Sequence, residues 1–416
     1  MVDLKKFSFL ILFILITCTI FSLIGSVSAA DYNVTSWTTQ NDINNWMKSS
    51  STVKGDSLVF IENKYDLSDT IVITKSINIK SSTNTQINFY QSKAMFNINS
   101  TGVTFSGLTL NHNANGKNKD SRISTMEFTG TKTVNIANSN FNLNGNYLSA
   151  TSFGNWVGNV HNCRINGNGV DNFGFTTENW NGNIYNSVFI MNKNNANAIG
   201  VLSVWTGSIV NTQIFLKGKQ SIGIMASSWQ GGLSNVTINA DETDSFGIFV
   251  DKWRGTFSKS NIQANQYNSI GIHSFDSAGT ISNCVVSAKG GYAILVSKNV
   301  KVISTQASSK KGIANVYFFG PKLKLGVVSK KLNSRVYSIN VHNIGELRSK
   351  SAKLTIFYGK NKKTFKVKAI KSGNFVTVKV VLPAKFATKK YLKYVRLNYV
   401  DVFGKKIATK KSKFKF

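Results

Sequence analysis

The chain reads as all-β: a parallel β-helix built from coils of about 24 residues, followed by a small immunoglobulin-like β-sandwich. Three observations predict this. First, one phrase recurs every 24 or 25 residues: a Trp, a Gly two residues on, an aliphatic two further, and an Asn two after that. It reads Trp156-Gly158-Val160-Asn162, Trp180-Gly182-Ile184-Asn186, Trp205-Gly207-Ile209-Asn211 and Trp229-Gly231-Leu233-Asn235. The copy Trp253-Gly255-Phe257-Lys259 replaces the Asn, Ser277-Gly279-Ile281-Asn283 replaces the Trp, and Asn138 extends the Asn column back behind Val134 and Ile136. Second, runs such as 245–250 alternate with period 2, and no unit holds a helical-period run of ten residues. Third, composition changes abruptly near Pro321.

A short fixed period means stacked units that bury a core only against their neighbours. Two or three short strands per unit with Asn at a corner describe one turn of a parallel β-helix. Asn suits the corner because it tolerates the left-handed conformation and bonds like residues above and below. Pro321 and Pro383 are the only prolines, so nothing blocks long backbone ladders.

Residues 1–30 carry Lys5 and Lys6, an apolar run from Phe7 to Ile24, and the small residues Ser26-Val27-Ser28-Ala29-Ala30. That order predicts a secretory signal peptide cleaved after Ala29 or Ala30. The expectation is a secreted or cell-surface protein, membrane-anchored only if the run, long enough to span a bilayer, is retained. Residues 31–54 form an N-terminal cap. Ile43, Trp46 and Met47 fall at i, i+3 and i+4, a short amphipathic helix within 40–50 that closes the open end of the cylinder. Residues 55–318 form the β-helix, of roughly ten coils and on the order of 50 Å long. Its first coils are irregular, with strands at 58–60, 70–73, 77–79, 103–105 and 108–110, and the polar insertion from Asn111 to Arg122 leaves the stack as a loop.

Within the regular coils two columns read as interior. One is small (Ser139, Cys163, Ser187, Thr212, Val236, Ser260, Cys284), and the other, two residues on, is apolar (Phe141, Ile165, Phe189, Ile214, Ile238, Ile262, Val286). Cys163 and Cys284 are five coils apart, roughly 24 Å, beyond disulfide reach, so they are read as small buried residues. Cys18 falls in the N-terminal apolar segment. A third column, taken as Gly174, Gly200, Gly223, Gly247 and Gly271, is read as facing outward between inward apolars. Leu202, Met225, Phe249, His273 and Leu295 face outward beside it as a candidate binding face. The Trp column is read as packed inside or at a corner; exposed, it would form a stacking platform for sugar rings.

Residues 321–416 hold 26 of the 50 Lys and Arg but only two of the 18 acids, Glu346 and Asp401, which leaves +24 here and +8 in the rest of the chain. Strand-like stretches at 336–339, 354–357, 375–378 and 394–397 are joined by turn signals at 343–345, 359–361 and 372–374. Under 100 residues at this strand spacing favour an immunoglobulin-like sandwich.

Two stretches carry a family resemblance. The run Val341-His342-Asn343-Ile344-Gly345, with Ser351-Ala352-Lys353-Leu354, Tyr358-Gly359 and Lys371-Ser372-Gly373, resembles a bacterial cell-adhesion-related sandwich domain. The segment from Gly55-Asp56 through Tyr65-Asp66-Leu67-Ser68-Asp69-Thr70 to Lys75-Ser76-Ile77-Asn78-Ile79 is similar to the coil-opening sequence of adhesin-like surface proteins of methanogenic archaea. The resemblance implies a surface or secreted role.

A charge of +24 on so small a domain implies salt-sensitive attraction to a polyanion. For an exported chain that is an anionic cell-wall polymer or surface glycan rather than nucleic acid. Lys362, Lys363, Lys389, Lys390, Lys405, Lys406, Lys410 and Lys411 are the contact candidates. The rival class is a carbohydrate-active lyase or hydrolase, which needs acids clustered on one strand face. Glu178 and Asp251 share a position but lie three coils apart, roughly 14 Å, too far for the 5–9.5 Å of a glycosidase pair. Asp251, His273 and Asp276, beside Lys252 and Arg254, are the one polar cluster that could serve as catalytic residues, or else simple solvated side chains. Asp241, Glu242 and Asp244 share one acidic turn where a calcium ion is conceivable. No metal or other cofactor is expected. Together these features predict an adhesin-like rod held to an anionic surface by its basic sandwich.

Overall fold

The computed structural model describes residues 29–416 except 129, 298, 313, 320–322, 331–334, 346–348, 359, 372, 385–392, 401–405, 410–411 and 414–416. The apolar run Phe7–Ile24 lies outside these. Among the described residues no helix is long and apolar enough to cross a membrane.

Each coil turns where the sequence places its Asn. Asn138, Asn162, Asn186, Asn211, Asn235 and Asn283 hold φ between 48° and 54°, and Lys259 (48°) and Ser304 (46°) occupy the same corner. The amides join successive coils: Asn162 Nδ2 donates to Asn138 Oδ1 at 3.0 Å, and Asn235 Nδ2 to Asn211 Oδ1 at 2.9 Å. A second left-handed corner, at Tyr147, Asp171, Asn195, Gln220, Asp244 and Asn268, has φ 57° throughout.

These corners divide the chain into three parallel sheets. Sheet 1 carries the aliphatic of the repeated phrase, from Val160–His161 and Ile184–Tyr185 to Lys301–Ile303. Sheet 2 has eleven strands, from Lys64–Leu67 to Gln306–Ser309. Sheet 3 runs from Ile71–Ile73 to Val316–Phe319, and in the regular coils its strands, such as Ile222–Trp229 and Phe246–Trp253, end at the Trp. The solenoid makes about 12 turns rather than ten. Its first turns lack the Trp phrase, and Asp31–Val34 already pairs in parallel with Ser57–Phe60 ahead of the cap helix. That helix, Gln40–Lys48, starts on a Thr39/Asp42 capping box, buries Ile43 and Met47, and stacks Trp46 on Tyr32 at 5.0 Å.

The Trp column is interior. Trp156, Trp180, Trp205, Trp229 and Trp253 are at most 1% exposed. The first four stack nearly parallel at 4.4, 5.1 and 4.7 Å, close to the 4.7–4.9 Å spacing of hydrogen-bonded strands. Each indole N–H turns back to a carbonyl of the preceding coil: Trp180 to Gly158 O (3.0 Å), Trp205 to Gly182 O (3.0 Å), Trp229 to Gly207 O (2.8 Å). This explains the Gly two residues after each Trp. A Cβ on Gly207 would lie 1.5 Å from Gly182 O and 2.9 Å from the Trp205 indole nitrogen. Trp253 stacks instead on Phe257 at 3.7 Å, and the column ends at Ser277, which is fully buried and whose hydroxyl accepts from Trp253 N at 3.2 Å.

The small and apolar columns are interior as expected. Ser187 Oγ donates to Tyr185 O and accepts from Cys163 N, and Ser260 does the same for Ser258 O and Val236 N. Small hydroxyls thus satisfy turn N–H groups that would otherwise be buried unpaired. Cys163 and Cys284 are free and buried.

The Gly column corrects the sequence reading: it faces inward. A Cβ on Gly223, Gly247 or Gly271 would meet the carbonyl of the next coil at 2.5–2.6 Å and the core side chains Ile238, Ile262 or Val286 at 2.6–3.0 Å. The strand bends there, so the Gly and the following Ile both face the core, and Ile222, Phe246 and Ile270 face outward half-buried. Gly200 does not belong to this column. Ala198 takes the Gly position, and Gly200 pairs with Met225. The insertion also begins later than Asn111, since Thr109–His112 is a strand of sheet 2.

The C-terminal segment forms two antiparallel sheets. One pairs Leu323–Lys330, Val336–Asn343 and Phe375–Val381; the other pairs Asn361–Val367, Ala352–Tyr358, Lys393–Val400, Lys406–Ala408 and Ser412–Lys413. They share a core of Tyr337, Ile339, Val341, Leu354, Ile356, Val380, Val395 and Leu397, as a β-sandwich requires.

Removing one indole leaves a buried cavity and two broken stacks, so Trp205→Ala should cost about 3–5 kcal/mol in equilibrium unfolding. Lys259→Asn should instead raise stability, because Asn tolerates the left-handed corner better than Lys. Denaturant titration of both variants checks the pair.

Candidate functional site

Strand register in sheet 3 aligns Gly200, Met225, Phe249, His273, Leu295 and Tyr317 on its outer side. Leu202 is therefore not part of the expected column. It sits in a register shift between Val201 and Val204, 45% exposed. Ala198, not Gly200, holds the position of Gly223, so Gly200 is the residue level with Met225 and Leu202 lies two positions further on.

The other four expected residues form a packed seam rather than an open groove. His273 lies flat on Phe249 at 4.9 Å, with Phe246 at 6.0 Å and the edge of Phe275 at 4.3 Å. His273 and Leu295 are buried, and Met225 and Phe249 are half-buried. The exposed ring is Phe275, at 42%, which sequence reasoning missed because it falls two residues beyond the repeating column.

The Asp251, His273 and Asp276 cluster comes together only in part. Asp251 is level with Phe275, because Val250 pairs with Ser274 and Lys252 with Asp276. Arg254 holds Asp276, with Nη2 3.3 Å from Oδ1 and Nη1 donating to the Asp276 carbonyl at 2.7 Å. Burial drives the His273 imidazole down to about 4, so it is neutral at neutral pH and packs as an aromatic ring.

The acids of the 241–244 turn bind the next coil. Asp241 Oδ1 accepts from Asn265 N at 2.5 Å, and Asp244 Oδ1 from Asn268 Nδ2 at 2.7 Å. Among the described residues no group of three or more His, Cys, Asp or Glu is placed to hold a metal ion.

The sandwich places several of its cations on one outer face. Lys353 stands opposite Lys366 and Asn398, Thr355 opposite Thr364 and Arg396, and Phe357 opposite Lys362 and Tyr394. Leu354 and Ile356, between these positions, face the core, so Lys353, Lys362, Lys366 and Arg396 share the side away from it. Lys363 points to the inner side of the edge strand Asn361–Val367, with Nζ 5.4 Å from the Phe365 ring. An inward charge on an edge strand blunts edge-to-edge pairing. Lys389, Lys390, Lys405, Lys410 and Lys411, and the side chain of Lys406, lie outside the described residues. The five ion pairs among the described residues all fall in the solenoid.

No protein-family model matches this chain, and no curated protein does. Among solved structures the chain is similar to an alginate lyase in complex with G6, at 15% identity and TM-score 0.39, over 62% of this chain and 64% of that one. It is similar to a PL6 alginate lyase in complex with a trisaccharide, at 11% identity and TM-score 0.41, over 74% and 91%. It is also similar to the Dettilon tailspike protein, at 10% identity and TM-score 0.30, over 80% and 83%. These are likenesses of fold and give this chain no residue role.

His112 is held neutral like His273: burial lowers it to about 4, with its ring nitrogens 3.2 Å from Thr125 Oγ1 and 3.3 Å from Gln91 O. Both titrate near 6.5 when unfolded, so between about pH 6.5 and 4 the unfolded chain binds more protons. Stability should therefore fall as pH drops through that window. Thermal unfolding across pH 4–7 should show the decline, flattened in the double variant His112→Asn/His273→Gln.

Proposed function

We propose that this chain is an adhesin-like protein, exported through its N-terminal segment. In this reading the solenoid is a rigid rod presenting its side faces to surface glycans, and the sandwich holds an anionic polymer of the cell wall or surface. The observation that carries the reading is the cation array on the outer face of the five-stranded sheet, where Lys353, Lys362, Lys366 and Arg396 share one side. Like charges placed directly opposite, such as Lys353 and Lys366, cost stability in a sheet. An arrangement that costs stability calls for a partner supplying the missing charge.

The geometry suits a polymer. Strands lie about 5 Å apart, and residues on one face repeat about every 7 Å along a strand, so a chain bearing one anion per monomer meets several cations at once. Phe357 and Tyr394, between the cations, offer flat apolar contacts to the sugar rings of such a polymer. Attraction of this kind is steeply salt-sensitive, since the Debye length shrinks from about 10 Å at 0.1 M to about 3 Å at 1 M.

The triple variant Lys353→Glu/Lys362→Glu/Lys366→Glu of the full chain tests this. It should lose retention on an immobilised polyuronate at 0.1 M salt while melting like the parent, whose own retention should vanish at 1 M. Retention unchanged by the three reversals would overturn the reading.

A further inference from the structure

One coil runs well beyond the 24-residue period, and sheet 3 opens beside it into a cleft. The amide ladder of sheet 2 steps 31 residues from Asn111 to Asn142, but 24 from Asn142 to Asn166. The seven additional residues are taken up in the ten-residue loop 113–122. In the next coil sheet 3 is also interrupted: Leu148–Thr151 and Asn155–Val157 are separate strands, with Ser152, Phe153 and Gly154 between them at the surface. Between these breaks lies a cleft of about 490 Å³, whose lining includes Lys93, Arg122, Ser124, Glu127, Ser152 and Phe153.

The cations of this cleft are already paired. Lys93 Nζ is 2.5 Å from Asp69 Oδ1. Arg122 is set in place rather than free to swing. Its Nε donates to Asp171 O at 3.1 Å, its Nη2 lies 4.0 Å from the Asp171 carboxylate, and its guanidinium lies over the Phe173 ring at 4.3 Å. Its side chain is only 14% exposed. Both cations thus have partners, and Glu127 stands exposed beside them. An anionic ligand would have to compete with Asp69 and Asp171 and would face Glu127.

We propose that this cleft binds a neutral pyranose unit of a glycan. Glu127 accepts hydrogen bonds from sugar hydroxyls, Lys93 and the Ser152 hydroxyl donate to them, and the exposed Phe153 ring, at 44%, takes the apolar C–H face of the ring. Arg122 is a positioning residue: it ties the 113–122 loop to the coil carrying Asp171 and so holds one wall of the cleft. The site is independent of the cationic sandwich face, and the two differ in salt response, because a hydrogen-bonded neutral ligand is not screened.

Probing the full-length protein on a mixed array of neutral and acidic glycans at 1 M salt tests this, since electrostatic capture by the sandwich is suppressed there. Neutral pyranose glycans should be retained, and Phe153→Ala and Glu127→Gln should each weaken that signal at least tenfold with unchanged melting temperature. Both residues are exposed, so neither change should impair folding. Retention of acidic glycans only, of none, or a signal unaffected by both substitutions would overturn the assignment. Loss of low-salt polyanion binding in the sandwich variants would leave it intact.

Discussion

Close approach between successive coils at the Trp–Gly corner is the constraint on which the rest depends. The indole of each regular coil reaches back to a carbonyl one coil earlier, at 2.8–3.2 Å. The Gly after it lets the backbones come near enough for that bond. Because the bond runs between coils, it fixes coil length as well as position: an extra residue must be absorbed elsewhere. The coil from Trp180 to Trp205 absorbs one at Leu202, by a register shift in sheet 3. Indole stacking at nearly the natural strand spacing then adds dispersion and hydrophobic burial without straining the ladder.

What the sequence made legible follows from this constraint. Trp, Gly and Asn recur because each is the residue type its position demands, so the coil length, the corner at Asn162 and its equivalents, and the interior small and apolar columns could all be read. The second corner could not. Its φ of 57° is met by Tyr147, Asp171, Asn195 and Gln220 alike, so backbone geometry repeats there without a repeating side chain. The inward Gly column was misread because strict alternation was assumed through a bend where two consecutive residues face the core. A Gly among apolars carries no sign of which way it points.

The candidate sites were less legible for a related reason. Repetition marks what the solenoid needs, whereas ligand contacts can lie where repetition lapses. Asp251 and Asp276 were singled out as rare acids in regular coils, yet Arg254 holds Asp276 and His273 lies in an aromatic seam. The cleft residues Lys93, Arg122, Glu127 and Phe153 lie where coil length changes, and that change was visible in the polar stretch before Arg122, though not what it would enclose. The sandwich differs again: its excess of Lys was plain from composition, but the common face of Lys353, Lys362, Lys366 and Arg396 appears only once the strands are in register. In the proposed reading the solenoid and the sandwich offer contacts of different chemistry, one directional and one electrostatic.

If coil registry at the Trp–Gly corner governs the fold, the regular coils should tolerate loss of one whole period far better than a loss that breaks the phrase. Deleting residues 206–229 joins Trp205 to Gln230 and removes 24 residues, one full coil, leaving the Trp–Gly phrase intact as Trp205-Gln230-Gly231. Thermal unfolding followed by far-UV circular dichroism should show a folded chain with one cooperative transition for this deletion. Removal of 206–227, two residues fewer, should abolish that transition. Equal melting of the two deletions, or collapse of the full-coil deletion alone, would contradict the account.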